Sequence, residues 1–308
     1  VAILCVARVS TDMIRLLVIF RKWVLSSFVF CVLSGMIPAL SEGSKFSGSS
    51  LPQRDRHVEA RLLSDRSHIN AGESWWVALE LKHDPTWHTY WQNGGDAGMP
   101  TVIEWTLPRG VTAGPIQWET PQIVKMGRLD VYGYEGTCLL LVQLESSADA
   151  VFNEPLEIKA FVNWMMCART CVPGRGVNLD LRLGIDDTAL SKRKTEWFKH
   201  IKNAASKFPP KAQTDAFKAN LDISSNRFDL QWENFPQSGE LEDVYFFDIT
   251  EQITSDKPQT LEQTEQGWKL SLSRAAYASA KPKRMHGWLR WKMAGEDFHW
   301  ARLDLPIN

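Results

Sequence analysis

Between Val58 and Gly184 the chain alternates apolar and polar residues, or runs apolar for a strand's length, in six segments: HVEARLLSD, SWWVALELKHD, TVIEWTLP, CLLLVQLES, LEIKAFVNWMM and GVNLDLRLG. A period of two turns one face of an extended chain toward a core and the other toward water, and the Gly, Pro, Asn and Asp clusters between the segments supply turns. Without a helical period among them, such short strands predict an antiparallel sandwich of immunoglobulin type. The period then changes. DDTALSKRKTEWFKHIKNAASKFPP opens on an Asp cap candidate, puts Leu190, Trp197 and Ile201 on one helical stripe, and stops at Pro209 and Pro210. This predicts a helical connector of roughly four to five turns. Alternation resumes in FKANLDISSN, RFDLQWEN, DVYFFDIT, WKLSLSR, MHGWLRWKM and HWARLDLPI, which predicts a second sandwich without cysteine, read as a binding or spacing module. The expected fold class is all-β, with two immunoglobulin-like antiparallel β-sandwiches joined by a helical connector. The divisions fall at 55–185 for the first sandwich, 186–211 for the connector and 212–308 for the second sandwich.

The residues ahead of the first sandwich predict export. From Met13 the chain places Arg15, Arg21 and Lys22 before an apolar run from Trp23 to Leu33, with the small residues Ala39 and Ser41 two apart. That is the layout of a cleavable secretory signal, and the uninterrupted run is shorter than the ~20 residues that span a bilayer. Residues 1–41 are therefore read as upstream sequence and signal peptide, and 42–54 (EGSKFSGSSLPQR) as a flexible leader. The expected location is the periplasm, with membrane contact only through the signal. A net charge of -1 without blocks of like charge gives no basis for binding nucleic acid or an anionic surface.

Of five cysteines, Cys138, Cys167 and Cys171 follow the signal. Cys138 alternates with Leu140, Val142 and Leu144, as a small buried residue does. Cys167 and Cys171 lie in WMMCARTCVPGRG, between two predicted strands. Both sulfurs are then expected at a hairpin tip within a partner's reach. Three chemistries remain open for the pair. As a staple, its five-residue loop contributes only ~2 kcal/mol by loop entropy. As a redox couple, it benefits from Arg169 and Arg175, which favour the thiolate, and from the absence of a carboxylate between Cys167 and Gly176. As a metal site, the thiols together with Met165 or Met166 suit Cu(I), although alternation turns Met166 inward, away from Cys167. Zinc lacks further close ligands.

A longer constellation adds to this. WHTYWQNGGDAGMPTVIEW (87–105), LPRGVTAGPIQWETP (107–121), YGYEG (132–136) and NWMMCARTCVPG together resemble the N-terminal periplasmic region of DsbD and ScsB thiol:disulfide interchange proteins, most closely the ScsB-like branch. The resemblance implies that Cys167 and Cys171 are the catalytic pair, taking electrons from a membrane-embedded donor and passing them to periplasmic thiol/disulfide proteins. The chain would then act as a protein-disulfide reductase. No cofactor and no metal are implied. These residues contain no multi-pass membrane segment and no thioredoxin-like CxxC domain, so the donor is expected to be a separate protein. Cu(I) binding in copper tolerance, and a non-catalytic interaction module with a structural disulfide, are the alternative functions. Within the block, Trp87 and Trp91 are expected in the core, and His88 and Tyr90 toward the cysteine loop or solvent. Asn93, Gly94, Gly95 and Asp96 are expected to form a tight turn. Tyr132, Tyr134 and Glu135 are candidates to line the cysteine end.

Overall fold

The computed structural model describes residues 46–185, 193–222, 224–233, 240–279 and 282–308. The predicted signal peptide and Leu190 lie outside the described residues. Each of the twelve predicted segments contains a strand, and in several of them burial follows the alternation. In β10 (Leu156–Asn163) and β13 (Val177–Leu183), which pair antiparallel, every second residue is buried.

The first sandwich sets one five-stranded sheet against two others. The first has the order β1 (Gln53–Asp55), β2 (Val58–Ser64), β3 (Ser74–His83), β9 (Thr137–Ser146), β6 (Val111–Ala113). Facing it are a three-stranded sheet, β13, β10, β5 (Val102–Thr106), and a five-stranded sheet, β12 (Cys171–Pro173), β11 (Met165–Cys167), β4 (His88–Gly95), β8 (Leu129–Glu135), β7 (Gln122–Met126). The core between them includes Leu62, Trp75, Leu79, Leu140, Ile158, Trp164 and Leu181. Cys138 is buried in it as a free thiol.

β3 and β9 are buried on both faces because α1 (Phe198–Ser206) packs on their outer side. Ile201 of α1 meets Leu63, Ala78, Leu139 and Leu141. Among the described residues this helix is shorter than the sequence predicts, because the chain before it is committed elsewhere. The Arg193 carbonyl accepts from Ser67 N, and Lys194 bridges Arg66. The leader also departs from expectation. Ser49 bridges Leu63, Ser50 N donates to Leu62 O, and Gln53–Asp55 pairs with β2, so residues from Phe46 onward extend the sheet edge.

After α1 come a four-stranded sheet, β14 (Phe217–Asp222), β15 (Arg227–Trp232), β18 (Gly267–Ser273), β17 (Thr260–Thr264), and a three-stranded sheet, β16 (Leu241–Asp248), β19 (Arg284–Met293), β20 (His299–Pro306). Phe228, Leu230, Phe246, Leu270, Leu289 and Leu303 fill the space between them. The all-β, immunoglobulin-like class is thus the observed one. Residues 46–308 form a single compact unit, and its two sandwiches share an aromatic joint. Trp91 of β4 lies edge-on to Trp288 at 5.0 Å and to Phe247 at 6.3 Å, and the Tyr132 and Tyr245 hydroxyls are 3.2 Å apart.

Candidate functional site

The cysteine loop is not the tip of one long hairpin. LEIKAFVNWMM breaks at Trp164, whose buried indole anchors the chain in the core. Its carbonyl accepts from Gly174 N at 2.8 Å. Beyond that clamp the chain passes to the neighbouring sheet, where Met165–Cys167 and Cys171–Pro173 form a short hairpin on the edge of β4. Cys167 lies directly opposite Cys171 across this hairpin, and the two are joined by a disulfide.

The hairpin makes the two sulfurs unequal. Cys167 is fully buried and Cys171 is exposed, which corrects the expectation that both are within a partner's reach. The cause is β4. Cys167 pairs in register with His88, and side chains paired across strands share a face. Tyr90, two residues on, is on that same face. Its hydroxyl donates to Cys167 Sγ at 2.8 Å and lies 3.5 Å from Cys171 Sγ and 3.3 Å from Met126 Sδ. Val124 and Val131 complete the buried cluster, with Met126, Leu129, Met165 and Ala97 packed around it. Met166 points into the main core instead, so its thioether is excluded from the site as alternation predicts.

The Tyr90 ring is held by the glycine turn that follows it. Gly98 has φ +95°, and a Cβ there would fall 2.1 Å from the ring. Only glycine allows this approach. Burial pushes the Tyr90 phenol up to about 12, so it remains a proton donor throughout the neutral range. Asn93, Gly94 and Gly95, expected in a tight turn, instead end β4 across an irregularity in its pairing with β8, and with Asp96 they reach the second sandwich, a role their local chemistry did not reveal. Asn93 Nδ2 donates to Asp248 O at 2.8 Å, and the Asp96 carboxylate accepts from Asp256 N at 2.9 Å and from the Thr254 and Tyr277 hydroxyls.

Other candidates lie elsewhere. Trp91 is in the core, whereas Trp87 is half-buried and stacks on His57 at 3.8 Å. Tyr132 and Tyr134 are buried in the main core and do not line the cysteine end; Glu135 is exposed, paired in register with His88. Burial pushes the Cys138 thiol well above its ordinary range, which makes it a poor nucleophile. Sequence reasoning missed Met126, which is 36 residues from Tyr90, because nothing in its local pattern marks it. Among the described residues no group of three or more His, Cys, Asp or Glu side chains is arranged to hold a metal.

His88 supplies a pH test of this packing. It is buried, its Nε2 has no hydrogen-bond partner, and burial and the neighbouring His83 lower its pKa to about 4. The unfolded imidazole titrates near ~6.5, so between these values the unfolded chain binds more protons. Stability is then complete above about pH 6.5 and falls as pH drops toward 4. Urea unfolding at pH 7 and pH 5 is expected to show a loss of about 2 kcal/mol, most of which disappears in His88→Gln. Equal pH dependence in that variant would place the effect elsewhere.

Fold and site define a class: an immunoglobulin-like β-sandwich that presents a half-exposed disulfide on a sheet edge. Residues 59–182 match the family described as "Thiol:disulfide interchange protein DsbD, N-terminal". That stretch, with its Cys167–Cys171 bond, is a domain of the thiol:disulfide interchange type. The crystal structure of the N-terminal periplasmic domain of ScsB from Proteus mirabilis is similar over 84% of this chain and 99% of that one, at 14% identity and a TM-score of 0.59. At that identity the likeness concerns the fold, and its coverage extends over both sandwiches. The periplasmic chaperone SfaE, at 9% identity over 80% of this chain and 98% of its own, has a TM-score of 0.20 and adds no argument. No curated protein matches the chain.

Proposed function

We propose that this is a periplasmic thiol:disulfide interchange protein that relays electrons through a reversible Cys167/Cys171 disulfide, with Cys171 as the partner-bonded sulfur. The observation that carries the reading is the split environment of the pair. Cys171 is open to a partner, while Cys167 is buried against a hydroxyl donor. Attack on a disulfide is faster when the departing sulfur is a better leaving group. A hydrogen bond from Tyr90 stabilises a Cys167 thiolate more than it does the neutral sulfur.

The chemistry closes without a cofactor. A donor thiolate attacks Cys171 Sγ, the Cys167–Cys171 bond breaks, and Cys167 leaves as thiolate. The donor's second thiolate then releases Cys171, so two electrons reach the pair and the donor is oxidised to its disulfide. In the outgoing half, the Cys171 thiolate attacks an acceptor disulfide, and Cys167 resolves the mixed disulfide by re-forming its bond to Cys171. The acceptor leaves reduced. A membrane-embedded dithiol donor and periplasmic thiol/disulfide acceptors are the partners this reading requires. Likeness to a domain described as periplasmic supports the location.

Quenched-flow alkylation with mass counting tests the reading. Mixing the oxidised chain with a dithiol should expose two thiols together while Cys138 stays unmodified. No appearance of the pair's thiols on any accessible timescale would mean that the disulfide is a staple. In the same assay Tyr90→Phe should slow reduction about three- to tenfold, the rate equivalent of one hydrogen bond of ~0.5–1.5 kcal/mol. An unchanged rate would remove Tyr90 from the mechanism.

A further inference from the structure

The glycine-rich segment from Asn93 to Gly98 has two neighbours. One is the Tyr90 ring: a Cβ at Gly94 would fall 2.9 Å from it and one at Gly98 2.1 Å, and Ala97 packs in the same cluster. The other is the second sandwich. A Cβ at Gly95 would fall 2.3 Å from Ser255 Oγ, and Asp96 N donates to that oxygen at 2.9 Å. The Asp96 carboxylate accepts from the Thr254 hydroxyl, Asp256 N and the Tyr277 hydroxyl, all of them in the second sandwich. Glycines at 94, 95 and 98 make this segment costly to order, and hydrogen bonds to a charged acceptor are the stronger kind. The groups that grip it are themselves fixed. The buried Asp248 carboxylate accepts from Thr250 N, Gln252 N and Ile253 N at 2.6–3.2 Å, which orders the loop leading to Thr254. The Ser255 hydroxyl donates to Asp130 O of β8 at 2.5 Å.

We propose that Asp96 is a positioning residue for the disulfide chemistry, through which the second sandwich holds Tyr90 against Cys167. The inference rests on the relay reading and deepens it, because the second sandwich is then part of the working site and not a spacer. With the Asp96 contacts in place, the segment walls the Tyr90 ring and the hydroxyl stays 2.8 Å from Cys167 Sγ. Without them the glycines let the segment leave the ring, and the departing Cys167 thiolate loses its donor for part of the time. Asp96 acts only through Tyr90, so its loss slows the reaction no more than loss of the hydroxyl itself.

The test is quenched-flow reduction of the oxidised chain by a dithiol, with urea unfolding of each variant alongside. Asp96→Ala should slow reduction by up to about three- to tenfold, the effect of one hydrogen bond. Asp96→Asn keeps a carbonyl oxygen for Thr254 and Asp256 and an amide that donates to the Tyr277 oxygen, so it should restore most of the rate. Added to Tyr90→Phe, Asp96→Ala should cause no further loss, since two groups acting through one contact are not additive. Thr254→Val combined with Tyr277→Phe removes two donors from the second sandwich alone and should slow reduction in the same way. Because Tyr277 is exposed, this pair keeps the test decisive if Asp96→Ala does not fold. A wild-type rate in these variants, with only the urea midpoint lowered, would show that the contacts merely join the sandwiches and overturns the proposal. So does a loss that multiplies with that of Tyr90→Phe. A wild-type disulfide that no dithiol opens overturns the relay, and the positioning role with it.

Discussion

Replacing Cys167 by Ser is expected to leave Cys171 able to attack but unable to be released, so that mixed disulfides with partner proteins accumulate. Replacing Cys171 by Ser is expected to abolish exchange, with a rate loss on the order of a thousandfold or more, as for removal of a reacting nucleophile. The asymmetry follows from burial: Cys171 is exposed and Cys167 has no accessible surface. Tyr90 then donates its hydrogen bond to the sulfur that must carry negative charge when the bond opens. Non-reducing electrophoresis of each single variant, incubated with an oxidised thioredoxin-fold protein after reduction, distinguishes the roles. Equal trapping by both variants, or trapping only by Cys171→Ser, would contradict the assignment.

The second large effect concerns stability. Trp91 lies on the opposite face of β4 from Tyr90, is fully buried, and meets Tyr132, Phe247 and Trp288 at 5.0–6.3 Å between ring centroids. Trp91→Ala removes a side chain that fills both the first core and the joint with the second sandwich. The expected cost is about 3–5 kcal/mol, measured as a lowered urea midpoint with the wild-type slope. Because β4 also carries the partner residues of Cys167, the damage should reach the site as well. The Tyr90 contact would loosen, and alkylation of Cys167 after reduction would be faster than in the wild-type chain. A loss below ~1 kcal/mol would show that the joint contributes little to folding.

The strands were legible because burial follows a period of two, as in Val177–Leu183, where every second residue is buried. The crossing at Trp164 was not. Met165 and Met166 continue the alternation of the strand before them, and only the Gly174–Trp164 clamp and the pairing with β4 show that the chain has changed sheets. That His88 and Tyr90 share a face opposite to Trp91, toward the cysteine loop or solvent, followed from alternation through WHTYW. Their burial did not, because it depends on the hairpin folding onto them. Met126 and the contacts from Asn93 and Asp96 to the second sandwich join residues 36 to 160 positions apart. Such pairings leave no trace in local period or turn chemistry. The connector shows the converse: its helical stripe was readable, but competition from β-bridges to Ser67 and Arg66 was not.

In this mechanism the Cys167/Cys171 bond is a working redox couple. Its reduction potential, measured by equilibrating the chain with glutathione buffers and counting free thiols by mass, tests this most directly. A relay requires a potential well above about -300 mV, so that partner thiols can open the bond. A value below about -300 mV, where structural disulfides lie, would show that the hairpin is stapled and would contradict the relay.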